Sequence, residues 1–128
     1  MKSPGGSEFP YYYKGGEIHC LKYGSMYKDH EKLLALMRLE EDFISQFNQK
    51  LRIWIDLYKT STPPNVLKEL IRNLENLQDR VIKISFVGLN GISRWRLKRM
   101  IRQKKIRYPI SFYSDPEDAK TWLIHEHY

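Results

Sequence analysis

Residues 80 to 91 read Arg80-Val-Ile-Lys-Ile-Ser-Phe-Val-Gly-Leu-Asn-Gly91. The first eight residues predict a strand of the buried type, because they are mainly β-branched, aliphatic or aromatic. The two glycines and the asparagine that follow predict a turn. Apolar residues then recur at helical spacing, so a helix is predicted over residues 92–105.

The same alternation of strand and helix continues on both sides of this segment. Two extended runs joined by Gly15-Gly16 predict a β-hairpin near the start of the chain. The other elements predicted are, in chain order, a helix over 29–49 with Asp29 as N-cap, a strand over 52–58, a helix opening at Pro63-Pro64, a strand over 108–113 and a helix opening at Ser114-Asp115-Pro116-Glu117. We therefore expect an α/β fold: a mixed five-stranded sheet, built from the hairpin and three strand–helix units, with four helices.

Length and composition set the class of protein. The chain has 128 residues, of which 41% are hydrophobic and 29% charged, as in a globular domain. No apolar run approaches the roughly 20 residues needed to span a bilayer. The single cysteine, Cys20, cannot form an internal disulfide, which favours the reducing cytoplasm. Residues 1–9 are interpreted as a flexible leader or cloning remnant, and residues 10–128 as one domain.

The net charge of +7 is concentrated in one segment. Between Arg94 and Arg107 there are eight basic residues and no acidic one, whereas the remaining 14 basic and 15 acidic residues nearly cancel. At about 100° per residue, Leu97, Met100 and Ile101 share the helix face that would pack on the sheet. The opposite arc carries cations with Trp95 among them.

This basic arc has three interpretations that the sequence leaves open. It is an ordinary solvated helix face, a contact for an acidic protein or a second copy of the chain, or a contact for nucleic acid or an anionic membrane. An exposed indole among cations can stack on a base or on an arginine.

Three stretches resemble a known family. They are Arg52-Ile-Trp-Ile-Asp-Leu-Tyr58, Lys83-Ile-Ser-Phe-Val-Gly-Leu-Asn-Gly-Ile92 and Ile110-Ser-Phe-Tyr-Ser-Asp-Pro-Glu-Asp-Ala-Lys-Thr-Trp-Leu123. They are similar to segments of the SpoIIAA-like branch of the STAS superfamily, the fold of anti-sigma-factor antagonists, which is also similar in topology to the CRAL-TRIO domain. The resemblance covers roughly residues 10–125, and its closing segment is the most specific of the three.

The resemblance implies a small, cytoplasmic, non-enzymatic regulatory module. In antagonist members a Ser or Thr at the start of the helix after the Asp-ending strand is phosphorylated, which switches partner binding. The matching hydroxyls here are Thr60, Ser61 and Thr62, although the family's Asp-Ser pair is absent and the loop is shorter. The alternative for the same hydroxyls is a structural role, either capping the following helix or simple turn chemistry.

The candidate binding residues follow from their place in the predicted sheet. Open α/β sheets bind ligands at the carboxyl ends of their strands, and helix N-termini attract anions. The candidates are Asp56, Gly88, Asn90, Gly91, Ser93, Arg94, Trp95, Lys98, Arg99, Arg102 and Lys105. For the residues of the Gly88–Ser93 turn and for Asp56, simple turn or helix-start chemistry is the alternative.

The sequence gives no pattern typical of an enzyme. His19 and Cys20 are adjacent in a strand and point to opposite faces, which argues against a Cys–His nucleophile. His125-Glu126-His127 places two histidines at i and i+2 in a terminal tail, which does not suit a metal site. We therefore predict no catalytic residue, metal or cofactor. The expected partner is a protein, acidic in character, or a second copy of the chain, and the alternative is anion or nucleic-acid binding through residues 94–107.

Overall fold

The computed structural model describes residues 1–125. Five strands and four α-helices follow one another along the chain. They are β1 (Tyr11–Tyr13), β2 (Gly16–Lys22), α1 (His30–Ser45), β3 (Leu51–Asp56), α2 (Pro64–Asn76), β4 (Val81–Val87), α3 (Gly91–Arg102), β5 (Ile110–Tyr113) and α4 (Pro116–Ile124), with a 3₁₀ turn at Gln78–Arg80 between α2 and β4. The expected α/β fold with a mixed five-stranded sheet and four helices is confirmed.

The strands lie in the order β1-β2-β3-β4-β5, with β1 antiparallel to β2 and all later neighbours parallel. Because every crossover advances in the same direction and such crossovers are right-handed, the three crossover helices fall on one face of the sheet. There α2 packs between α1 and α3. Only α4, which follows the last strand, packs on the opposite face, where it contacts all five strands.

Successive side chains of each strand point to opposite faces of the sheet. On the α1–α3 side, Ile53, Ile55, Ile84 and Phe86 belong to the larger hydrophobic core. On the α4 side, a smaller cluster consists of Ile18, Cys20, Trp54, Val87, Ala119 and Leu123. Both faces of the sheet are thus covered by helices. A binding site would therefore lie at the carboxyl ends of the strands, where the loops are.

Element ends were predicted with small errors that have local causes. The hairpin turn is Lys14-Gly15, both with positive φ, and Gly16 pairs with Tyr13, so the prediction of a Gly15-Gly16 turn is wrong. Helix α3 ends at Arg102, which leaves Lys104 and Lys105 outside it. The segment that follows the helix is bonded to the Gln78 side chain, which donates to the carbonyl of Lys105 and accepts from the amide of Arg107.

Residues 1–9, which the sequence analysis separates from the domain, lie against it. Ser3, Ser7 and Phe9 are buried, and the Phe9 ring packs edge-on against His19 and Phe43. The Ser7 hydroxyl donates to the carbonyl of Cys20, on the part of β2 that extends beyond the short β1. This segment therefore covers an otherwise open length of strand edge.

Among residues 1–125, no helix is long and apolar enough to cross a membrane.

Candidate functional site

The loops after β3 and β4 meet at the carboxyl end of the sheet. The Leu57 amide donates to the Val87 carbonyl at 2.9 Å, which extends the strand pairing into the loops. Gly88 follows with φ +88°, and a Cβ there would lie 2.3 Å from the backbone nitrogen of Tyr58. Gly88 is therefore required for the close approach of two backbones, as the turn interpretation expected.

Asp56 ends β3 and stabilises the loop that follows. Its Oδ1 accepts a hydrogen bond from the Tyr58 amide at 2.9 Å, a local turn bond typical of aspartate. Its other oxygen faces Gly24 in the loop after β2. The carboxylate is thus turned into the protein's own loops rather than toward an open cavity.

The three candidate hydroxyls have different surroundings. The Thr60 hydroxyl donates to the Tyr23 carbonyl at 2.7 Å and accepts from the Met26 amide at 3.1 Å. The Thr62 hydroxyl is buried and donates to Ser93 Oγ at 2.5 Å, which joins the starts of α2 and α3. Ser61 alone of the three is exposed.

None of these hydroxyls caps α2, so their prediction as helix caps is wrong. The N-cap position is Pro63, which has no side-chain oxygen, and no side-chain cap bond is formed. Thr60 and Thr62 are already engaged with other loops and with α3. Helix α2 instead begins with a proline in its first turn, where the missing N–H costs nothing.

Asn90 caps helix α3. Its Oδ1 accepts from the Ser93 amide at 2.8 Å. The Ser93 hydroxyl in turn receives the bond from Thr62. Gly91 begins the helix in open space, where an added Cβ would meet nothing within 4 Å. The predicted anion site at this N-terminus is thus partly filled by the protein's own amide side chain.

The cations of α3 lie on the side of the helix away from the core, as the helical spacing predicted. Leu97 is fully buried, Met100 and Ile101 pack on the core, and Trp95 is 57% exposed. The Arg99 guanidinium lies 5.5 Å from the centroid of the Trp95 ring, within cation–π range.

A groove runs between α2 and α3. It has a volume of about 420 Å³, and its lining includes Pro64 and Leu67 from α2 with Trp95, Arg99 and Met100 from α3. Its floor is mainly apolar and its rim is basic. This combination suits a partner that carries an apolar anchor within an acidic surface.

A second groove lies between α3 and β5. It has a volume of about 350 Å³ and is lined by Arg94, Lys98, Arg102 and Ile101 on the helix, and by residues 110–112 of the strand. The Lys98 ammonium lies 5.2 Å from the Phe112 ring centroid. Helix α3 thus separates two grooves and supplies cations to both.

Most of these cations make no ion pair within the described part of the chain. Lys104 lies 3.9 Å from Glu75 and Arg107 lies 3.6 Å from Asp79. The cations with no acidic partner among residues 1–125 are Arg94, Arg96, Lys98, Arg99, Arg102 and Lys105. Lys105 lies in the loop after α3, so its placement in a helix over residues 92–105 is wrong.

Exposed aromatic residues near the carboxyl end of the sheet were not predicted from the sequence. Tyr27 and Tyr58 are 60% and 58% exposed, and together with Ile92 and Trp95 they are four of the seven large hydrophobic residues exposed in the structure. Tyr27 lies beside the loop after β3, because its amide donates to the Lys59 carbonyl and its carbonyl accepts from the Ser61 amide. No local sequence pattern predicts the position of Tyr27, since its hydrogen bonds join two loops that are more than 30 residues apart along the chain.

The backbone of these two loops is also unusual. In the described part of the chain, residues 1–125, four non-glycine residues have positive φ, and three of them, Ser25, Tyr27 and Lys59, lie in these loops. A left-handed conformation costs such residues roughly 1–2 kcal/mol each. Backbone strain of this kind clusters at functional sites, so the two loops are candidates for part of a binding site.

His19 and Cys20 point to opposite faces, as predicted. His19 is buried on the α1 side, with Nε2 at 3.2 Å from Glu40 Oε1, whereas Cys20 belongs to the cluster under α4. Burial raises the pKa of the Cys20 thiol, with Lys120 and Lys22 opposing that effect. Within residues 1–125, no group of three or more His, Cys, Asp or Glu side chains could hold a metal ion. Glu126 and His127 of the terminal tail lie outside the described residues.

Comparison with protein-family models, with curated proteins and with solved structures finds no match to this chain.

Proposed function

We propose that the chain is a non-catalytic interaction module that binds an acidic protein partner. The binding surface is the carboxyl-end surface, which we define as Tyr27, Tyr58, Ile92 and Trp95 together with the exposed cations of α3, the helix that runs back from this end of the sheet. The observation that carries the proposal is the presence, on α3 and on the loops beside its start, of exposed apolar side chains and of cations with no acidic partner among residues 1–125.

The chemistry of this surface supports a protein partner. Tyrosine, tryptophan and arginine are the residues that most often dominate binding energy at interfaces. Singly scattered hydrophobic residues need no explanation, but a group of them beside a groove is typical of a contact site. Cations without acidic neighbours attract an acidic partner and speed its association.

We also propose that Ser61 is the regulatory position. Its exposure supports this choice, since Thr60 and Thr62 are engaged with neighbouring loops. A phosphate there would add negative charge near the start of α3, since the next residue, Thr62, is bonded to Ser93, and would compete with an acidic partner. The idea rests on the SpoIIAA-like resemblance, which we retain as a proposal. The element order agrees with that resemblance. The single buried cysteine is consistent with the cytoplasmic location that it implies.

The test is quantitative affinity capture from a native cell lysate with the immobilised wild type and five immobilised variants. We expect Trp95→Ala and Arg99→Glu to lose the acidic proteins that the wild type retains, because they remove the anchor and reverse the charge. Ser61→Asp should weaken the same captures. Leu39→Ala and Lys50→Glu, which alter an exposed leucine on α1 and an exposed lysine at the amino end of β3, are the matched controls.

Identical protein lists for the wild type, Trp95→Ala, Arg99→Glu and Ser61→Asp would remove the proposal. A loss confined to Ser61→Asp would overturn the part assigned to α3 and leave only the loop after β3 as the binding surface.

Nucleic-acid binding is the second candidate, favoured by the stacked Arg99 and Trp95 on a basic helix. It predicts that a short labelled single-stranded oligonucleotide binds at low salt, that its affinity falls steeply with salt, and that Arg99→Glu abolishes it. Absence of binding at low salt in a fluorescence anisotropy titration excludes this candidate.

A further inference from the structure

Strand β5 is the last strand of the sheet, and one of its edges has no strand beside it. The Ile84 amide of β4 donates to the Pro109 carbonyl at 3.0 Å, which fixes the direction of the backbone groups along β5. Because these groups alternate in direction from residue to residue, those of Ser111 and Tyr113 face β4. The N–H and C=O groups of Ile110 and Phe112 therefore face outward, and no strand among residues 1–125 pairs with them.

The groove beside this edge is basic. Arg94, Lys98 and Arg102 of α3 line it, and none of them makes an ion pair within residues 1–125. Ser111 lines the groove as well, although its side chain belongs to the opposite face from Ile110 and Phe112. The groove consequently reaches the backbone edge of the strand and not merely the side chains of one face.

We propose that an extended acidic segment of the partner adds to β5 as a further strand. Its backbone would pair with the outward groups of Ile110 and Phe112, and its acidic side chains would meet the cations of α3. Addition of a strand to an exposed edge is a recurrent mode of peptide recognition, in which the backbone supplies affinity and the flanking side chains supply specificity. This inference rests on the proposed function and names the form of the partner segment.

Charge decides against a second copy of the chain at this edge. Two copies that paired β5 with β5 antiparallel, about a two-fold axis perpendicular to the sheet, would place both α3 helices on the same face and bring both sets of Arg94, Lys98 and Arg102 together. Like charges that face each other across an interface oppose association. An acidic strand meets the same cations favourably.

The experiment uses a fluorescently labelled peptide, Thr-Glu-Val-Glu-Val-Glu-Thr, and its analogue N-methylated on the three central amides. Both carry the same charge, but the analogue cannot donate the backbone hydrogen bonds of a β-ladder. We expect the unmethylated peptide to bind at low salt and the analogue to bind at least about tenfold more weakly in anisotropy titrations. Lys98→Glu and Arg102→Glu should each abolish binding. Lys68→Glu, a charge reversal of the same size on the α2 side of the α2–α3 groove, should weaken it only slightly.

A second readout is amide hydrogen exchange measured by NMR. In the free protein we expect Ile110 and Phe112 to exchange faster than Ser111 and Tyr113, and to become protected when the peptide is added. Equal affinity of the two peptides, or unchanged exchange at Ile110 and Phe112 in the bound state, overturns strand addition. If the lysate captures still depend on Trp95 and Arg99 in that event, the proposed function stands and only this inference fails.

Discussion

Glu40 is a charged residue with no exposed surface, on the core-facing side of α1. Its Oε1 lies 3.2 Å from His19 Nε2, and its Oε2 accepts from the Ser3 hydroxyl at 2.9 Å and from the Gly5 amide at 3.0 Å. One carboxylate therefore joins α1, β2 and the N-terminal segment. A buried carboxylate is tolerated only when partners of this kind surround it.

We predict that Glu40→Ala lowers the free energy of unfolding by about 3 kcal/mol, because three donors lose their acceptor inside the protein. Urea denaturation followed by circular dichroism measures this. Asp42→Ala removes an exposed carboxylate two residues along the same helix and should change stability by less than about 0.5 kcal/mol. A similar small effect for both variants would show that Glu40 is not held in this network.

The sequence indicates that position 40 is buried, but not why a glutamate is there. Leu33, Met37, Glu40 and Ile44 form one helical stripe with spacings of four and three, so burial follows from periodicity. The partners of Glu40 lie 21 to 37 residues away along the chain. No local pattern connects them, and the interaction becomes visible only when the fold brings β2 and the N-terminal segment together.

The turn between β4 and α3 is the element on which the candidate site depends. It was predicted correctly in type and place, since a strand, a glycine turn and an amphipathic helix each have local signals. The early end of α3 was not predicted: the segment after it is bonded to the Gln78 side chain, 27 to 29 residues away along the chain, and no local pattern signals such a contact. The exposure of Tyr27 and Tyr58 could not be predicted either, because it depends on the pairing of two loops that are distant along the chain.

We predict that Gly88→Ala lowers the free energy of unfolding by more than about 3 kcal/mol, or prevents folding, whereas Gly15→Ala costs only about 1 kcal/mol. Both glycines have positive φ, +88° and +85°, so both substitutions strain the backbone. Only at Gly88 would the new Cβ meet backbone, at 2.3 Å from the Tyr58 nitrogen, whereas nothing lies within 4 Å at Gly15.

Thermal unfolding measures the stability lost by each of the two variants. The soluble yield of Gly88→Ala is recorded as well, because failure to fold is one expected outcome for this variant. Equal losses at the two glycines would mean that the loops after β3 and β4 do not touch as described, and that the carboxyl-end surface is not held together at this point.

At the scale of the whole molecule, the alternation of strands and helices predicted the fold class but not the strand order. Alternation is compatible with several orders, and only the sequential one places all three crossover helices on one face. The opposite face then depends on the nine-residue α4. Its C-terminal carbonyls accept hydrogen bonds from Arg52 and Lys83, cations placed where the helix dipole favours them. That role gives two charged strand residues a structural explanation.

Both faces also bury ionisable groups that make stability depend on pH at the alkaline end. Burial raises the pKa of Tyr23 and of Tyr108 above the ordinary value of 10.0, and that of Cys20 above 9.0. In each case the folded protein keeps the proton while the unfolded chain releases it. Their stabilising contribution is therefore complete below the unfolded pKa and is lost as pH rises above it. Lys83, whose pKa burial lowers, acts in the opposite sense.

We predict that the free energy of unfolding falls between pH 9 and 11, with about 1.4 kcal/mol lost at pH 11 for each of the two buried tyrosines, since that pH lies about one unit above their unfolded pKa. Tyr108→Phe should flatten this fall by that amount. It should also be less stable at neutral pH by about 1 kcal/mol, because the Leu74 carbonyl loses the Tyr108 hydroxyl at 2.8 Å. Tyr12→Phe, at an exposed tyrosine of β1, leaves the buried groups unchanged and is the control. Urea midpoints measured at several pH values separate the two effects. If the free energy of unfolding of Tyr108→Phe falls with pH as steeply as that of the wild type, Tyr108 ionises in the folded protein and the core around it admits water.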